Sequence, residues 1–134
     1  MSVKHQINNE LQLIITTVSG NAVDKALIAA METYQNDIRS KSDYIKYDEV
    51  LDLSTLTKIE LTNTGIKAIA QIASKNDQPA FKTKLALIVK SRLAFGLARM
   101  YQAYRDLNSG ANKELRIFYK SHDAFEWVEH DYFT

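Results

Sequence analysis

The chain has no cysteine, one proline and four glycines in 134 residues. Without cysteine there is no disulfide, no thiolate metal ligand and no thiol nucleophile, and a reducing compartment is weakly favoured. An excess of charge of one sign is also missing. Lys and Arg number 17 against 16 Asp and Glu, for a net charge of +1, so no broad potential draws in nucleic acid or anionic lipid. Nucleic acid is therefore not an expected partner. No run approaches the roughly 18 apolar residues of a membrane span, and the opening MSVKHQINNE lacks the apolar stretch of a signal peptide. The expected setting is cytoplasmic, without integral membrane association. No internal repeat, long linker or low-complexity tract interrupts the chain.

What is present is apolar periodicity. With 46% hydrophobic residues, a chain of this length suits one domain over residues 1–134 that buries about two thirds of its unfolded surface. Val3 to Ile7 and Leu11 to Val18 are β-rich runs around Asn8-Asn9-Glu10, the pattern of an antiparallel hairpin. Gly20-Asn21 is expected to end the second strand, and Ala22, Ala26, Leu27, Ala30, Met31 and Tyr34 then follow a helical stripe. Tyr44 to Leu53 reads as a strand entering a buried sheet. Helix returns after Thr62, with Thr62, Asn63 or Thr64 as N-cap and Ile66, Ala68, Ile69, Ile72 and Ala73 as the buried stripe.

Leu85 to Val89, LALIV, is apolar at every position, as in a strand covered on both faces. Ser91 can cap a helix whose residues Leu93, Leu97, Met100, Tyr104 and Leu107 recur on one predicted face. Gly96 in mid-helix suggests close approach to the sheet or to a second backbone, since glycine there costs about 1 kcal/mol against alanine. The helix is expected to stop at Asn108-Ser109-Gly110. A strand through Leu115, Ile117 and Tyr119 follows, and Ser121 caps a last helix bearing Phe125, Trp127 and Val128. The order β-β-α-β-α-β-α-β-α predicts an α/β fold: a mixed, mostly parallel five-stranded sheet packed with four helices.

Three stretches resemble a family of small bacterial proteins with a SpoIIAA-like fold, related to STAS and SEC14-type domains and largely without assigned function. They are Leu93 to Tyr101 (LAFGLARMY) directly after LALIV, Phe118 with Ala124-Phe125-Glu126-Trp127, and Asp52-Leu53-Ser54 followed by Leu56 and Ile59. The likeness spans nearly the whole chain. Better-studied relatives are anti-sigma-factor antagonists, in which a serine at a helix N-terminus within Asp-Ser-Ser-Gly is phosphorylated. The matching stretch here is Ile59 to Gly65, IELTNTG, with Glu for Asp, additional residues before the glycine and threonines for the serines. The resemblance thus makes Thr62 and Thr64 candidate phosphoswitch residues. A helix N-terminus does offer free amides to a dianion, and N-capping is the competing role for both.

Other chemistry is thin. His5, His122 and His130 share no ligand spacing, and Glu126, Glu129, His130 and Asp131 read as a solvated last turn, so no metal and no cofactor are expected. Asp48, Glu49 and Asp52 surround a predicted strand end, the region where open α/β sheets hold ligands, but no nucleophile–base pair or glycine-rich loop accompanies them. No enzymatic activity is expected. Arg92 and Arg99, seven apart on one helical face with Phe95 between them, suit the rim of a protein interface where Phe95 is exposed, and an ordinary solvated edge where Phe95 is buried under the next helix. The expected function is a regulatory or protein-interaction module that self-associates as a homodimer through Leu93 to Leu107 or a sheet edge, with a regulatory protein as partner. The alternative, from the SEC14-type side of the resemblance, is a pocket for a lipid or other small apolar ligand among Ile14, Leu53, Ile69 and Leu97.

Overall fold

The structure, a computed structural model, describes residues 1–78, 80–108 and 113–129. The N-terminal alternation of apolar and polar residues folds as a hairpin. Strands β1 (Ser2–Asn8) and β2 (Leu13–Val23) pair antiparallel with Ile7 opposite Ile14. The Asn8 side chain accepts from the Leu11 N–H at 3.0 Å, and Gln12 turns the chain at φ 52°. Strands β3 (Asp48–Glu60), β4 (Thr83–Ile88) and β5 (Lys113–Phe118) then add in parallel, giving the order β1-β2-β3-β4-β5.

Parallel neighbours need crossovers, supplied here by helices α1 (Asp24–Tyr34), α2 (Asn63–Ala73) and α3 (Arg92–Asn108). The strand order never reverses, so right-handed crossovers put all three helices on one face, where α2 packs between α1 and α3. Helix α4 (Ser121–Glu129) covers the other face. Strand β4, flanked by β3 and β5, accordingly buries both its faces. Leu85, Leu87 and Val89 meet Ala94 and Ala98 of α3, while Ala86 and Ile88 meet Ala124, Trp127 and Val128 of α4. Each Leu or Ile buried this way contributes about 1.5–3 kcal/mol. No helix among the described residues is long and apolar enough to cross a membrane.

The expected boundaries shift in three places. Gly20 does not end β2. It takes φ 85°, and register shifts at Thr17/Ser19 and Gly20/Asn21 let the strand run on to Val23 through bulges, so Ala22 is a strand residue and α1 begins at Asp24. Strand β3 starts at Asp48 rather than Tyr44 and continues through the β-branched Thr55, Thr57 and Ile59. It pairs with β4 only from Glu49 to Asp52, so its second half overhangs β4 and pairs with β2 alone.

Helix α3 is rolled by one residue from the expected face. Leu93 and Leu107 are exposed, and Ala94, Ala98 and Arg105 are buried instead. Small alanines let the helix sit close on β4, and Arg105 is tolerated inside because Asp77 pairs with it. Gly96 faces open space rather than a close neighbour. The Ser91 hydroxyl does cap this helix, accepting from the Ala94 N–H at 3.1 Å.

Candidate functional site

Between the sheet and the α1–α2–α3 layer lies a partly enclosed cavity of about 120 Å³. Its walls are apolar: Leu51 and Leu53 from β3, Leu27 and Met31 from α1, Ile66 and Ile69 from α2, Leu97 and Ala98 from α3. His5 on β1 is the exposed lining residue, stacked on Tyr34 at 4.8 Å between ring centroids and bonded through Nδ1 to Thr16 Oγ1 at 2.8 Å. Burial lowers the His5 pKa, so its ring is neutral at pH 7.

The end toward the start of β3 is polar. Helix α1 runs into a π-helical turn, Gln35–Arg39, closed by the i→i+5 bond from Ser40 N–H to Gln35 C=O at 2.9 Å. Such widened turns are associated with functional sites. This one buries both Gln35 and Arg39. The Gln35 side chain donates to the Ala73 carbonyl at 3.3 Å and accepts from Asn76 Nδ2 at 2.9 Å. Arg39 gathers the loop before β3, donating to the carbonyls of Tyr44 (2.8 Å) and Tyr47 (3.3 Å), and lies 3.8 Å from Glu49.

Glu49 is the hub. One carboxylate oxygen is held by the Lys113 ammonium, which also donates to Thr83 Oγ1 at 3.0 Å, and the other accepts from the Tyr34 hydroxyl at 2.6 Å. Burial opposes its ionisation, but the charges of Lys113 and Arg39 and these hydrogen bonds outweigh it and hold the carboxyl at about 2. Burial drives Tyr34 upward, with Glu49 adding to it, and lowers Lys113 despite Glu49.

Beside this hub, Arg105 of α3 bonds Asp77 at 2.8 Å and donates to the Tyr101 hydroxyl oxygen at 3.2 Å. Burial works against the Arg105 charge, yet Tyr101, Asp77 and Glu49 push its pKa up overall. Burial raises both Tyr101 and Asp77, against the pull of Arg105. The Arg105 Nε is buried without a hydrogen-bond partner. The arrangement can bind and orient an apolar molecule with a polar group. Among the described residues no three His, Asp or Glu side chains converge as a metal site.

The residues singled out from sequence are scattered. Thr62 is the N-cap of α2, accepting from the Gly65 N–H at 3.0 Å; its hydroxyl donates to Asp24 at 2.5 Å and its N–H to the same carboxylate at 2.9 Å. The anion at this helix end is thus an internal one, Asp24. Thr64, two residues on, is exposed. Arg92 and Arg99 are exposed, and Phe95 is half-buried with its ring stacked on Tyr119 at 5.4 Å. His122 pairs with Glu126 at 3.2 Å, whereas His130 and Asp131 lie outside the described residues. Asp52 lies inside β3 and its carboxylate accepts from the Ser54 N–H at 2.9 Å and the Ser54 hydroxyl at 2.6 Å. Asp48 and Glu49 open β3 instead of closing it, so they lie at the end of the parallel strands opposite to the one where such sheets usually hold ligands. Of the pocket residues named from sequence, Leu53, Ile69 and Leu97 line the cavity, while Ile14 packs with Tyr34 and Tyr47.

Sequence reasoning missed Tyr34, Arg39, Asp77 and Lys113 as a group, because they come from three segments far apart in the chain. One signal was legible: Glu49 shares the strand face of Leu51 and Leu53, an inward position where an acid needs a buried partner.

No protein-family model matches the chain, and no curated protein sequence matches it. A solved structure does. An uncharacterised DUF3478-family protein with a SpoIIAA-like fold, from Shewanella loihica PV-4, superposes with a TM-score of 0.54 over 95% of this chain and 92% of that one, at 14% identity. This superposition shows that the chain has a SpoIIAA-like fold.

Proposed function

We propose that this chain is a non-enzymatic binding module that holds a small apolar ligand between its sheet and its three-helix layer. The observation that carries the reading is the cavity of about 120 Å³ with almost wholly apolar walls. Size decides the class of occupant. Dry apolar cavities of about 150 Å³ take benzene, whereas drug-sized ligands need roughly 300 Å³ or more. The occupant is therefore of single-ring size, and a diacyl lipid does not fit without opening the helical layer. Titration of ¹⁵N-labelled protein with toluene tests this: saturable shifts are expected at the amides of Leu53, Ile69 and Leu97. Their absence up to the solubility limit of toluene would discard the reading.

A second reading, a self-associating interaction module, draws on a different surface. Leu93 and Tyr119 are 59% and 53% exposed, and Phe95 lies against Tyr119 between the exposed Arg92 and Arg99. Aromatic and arginine side chains are typical interface anchors. Size-exclusion chromatography with light scattering distinguishes it, since a strict monomer whose Phe95→Glu variant behaves identically leaves this surface without a role.

A further inference from the structure

Resting on the apolar-ligand reading, we infer that the cavity takes a small aromatic or branched monocarboxylate, its apolar body against Leu53, Ile69 and Leu97 and its carboxylate on Arg105 and Tyr101. Three observations converge. The first is an unused donor. Arg105 is 4% exposed and lines the cavity, and its Nη atoms bond Asp77 and Tyr101 while Nε has no partner. A buried N–H left without an acceptor is costly, and a bound acceptor removes that cost. Tyr101 lines the same cavity, and its hydroxyl oxygen accepts from Arg105, which leaves its hydrogen to donate.

The second is charge. The buried cluster sets the cations Arg39, Lys113 and Arg105 against the carboxylates Glu49 and Asp77, an excess of one positive charge that a monoanion neutralises. Glu49 also lines the cavity, but Lys113 and Arg39 neutralise it and Tyr34 holds its second oxygen. Two cations against one carboxylate leave the cluster's excess on this group, so it does not repel an incoming anion. The neutral His5 adds no charge at the exposed side. A cationic ligand would add to the excess, and a neutral hydrocarbon would leave the Arg105 Nε–H unpaired.

The third is size. A cavity of about 120 Å³ holds a benzoate-sized body and not a long acyl chain.

Calorimetric titration of the intact protein with benzoate, toluene and benzylamine tests the inference. Benzoate is expected to bind about 10- to 100-fold more tightly than toluene, the range for a hydrogen bond to a charged group, and benzylamine more weakly than either. In Tyr101→Phe the benzoate affinity should fall about 3- to 10-fold with toluene unchanged. Arg105→Gln should remove the preference for benzoate altogether; if that variant does not fold, Tyr101→Phe decides. Toluene binding with no advantage for benzoate overturns the carboxylate inference and leaves the apolar-ligand reading standing. Failure of both ligands to bind overturns the two together. A benzoate affinity unaffected by Tyr101→Phe marks a surface ion and also overturns the inference.

Discussion

The Tyr34 hydroxyl at the end of α1 and the Glu49 carboxylate at the start of β3 are joined by a 2.6 Å hydrogen bond, tying the helical layer to the sheet where Lys113 and Arg39 also converge. Replacing Glu49 with glutamine would keep the shape and remove the charge, stranding two buried cations. Breaking one partner of a buried ion pair costs about 3–5 kcal/mol. Urea denaturation of Glu49→Gln should read a loss of that size; a change under about 1 kcal/mol would contradict the pairing.

The same carboxylate sets a pH dependence. Its folded-state pKa of about 2 lies below the ordinary 4.5, so its stabilising contribution is complete above about pH 4.5 and is lost as pH falls toward 2. Asp24, lowered by its hydrogen bonds from Thr62, has the same sign. Asp48 and Asp77, raised by burial, have the opposite sign, and acidification relieves their cost. Urea midpoints measured from pH 6 to 2.5 should decline, and the decline should be shallower in Glu49→Gln.

Two glycines in helices should respond oppositely to alanine. At Gly96 an added methyl meets nothing within 4 Å, so Gly96→Ala should stabilise by about 0.5–1 kcal/mol through helix propensity. At Gly65 the methyl would overlap the Asp24 carboxyl and displace the group that binds Thr62. Gly65→Ala should therefore destabilise, and its effect should be non-additive with Asp24→Ala. Thermal denaturation of the set distinguishes propensity from packing.

Removing the cap directly gives a companion measurement. Thr62→Ala deletes the acceptor for the Gly65 N–H and the donor to Asp24, and should cost about 1–2 kcal/mol. Thr62→Ser should restore most of the loss, because the hydroxyl is what both bonds use.

Filling the cavity should silence it. Ala98 is buried and lines the void, and Ala98→Leu adds volume where space exists. Stability should change by no more than about 2 kcal/mol in either direction, while toluene affinity should fall at least about tenfold. Retained affinity would locate toluene elsewhere.

Periodicity revealed the element order and the double-sided burial of Leu85 to Val89 because each depends on neighbours in sequence. It misjudged α3, where the bulky Leu93 and Leu107 outscore Ala94 and Ala98 as apolar residues although the alanines face the sheet. Close packing against a strand selects for small side chains, which hydrophobic patterning undervalues. Gly20 was misread for a related reason: a bulge and a strand end both favour glycine at positive φ. The polar end of the cavity was hidden because Glu49 and Lys113 are 64 residues apart, and only the crossovers bring them together. The cavity walls were partly legible, since Leu53, Ile69 and Leu97 each lie on an apolar stripe.

The overhang of β3 beyond β4 also determines what this part of the sheet edge offers another chain. From Leu53 to Glu60 one side of the strand offers amides and carbonyls that an extended segment of another molecule would match, a template for polymerisation. Thr57 and Lys58 are exposed along this stretch and bring hydration and charge to it, so a newcomer must strip water from both before it can dock.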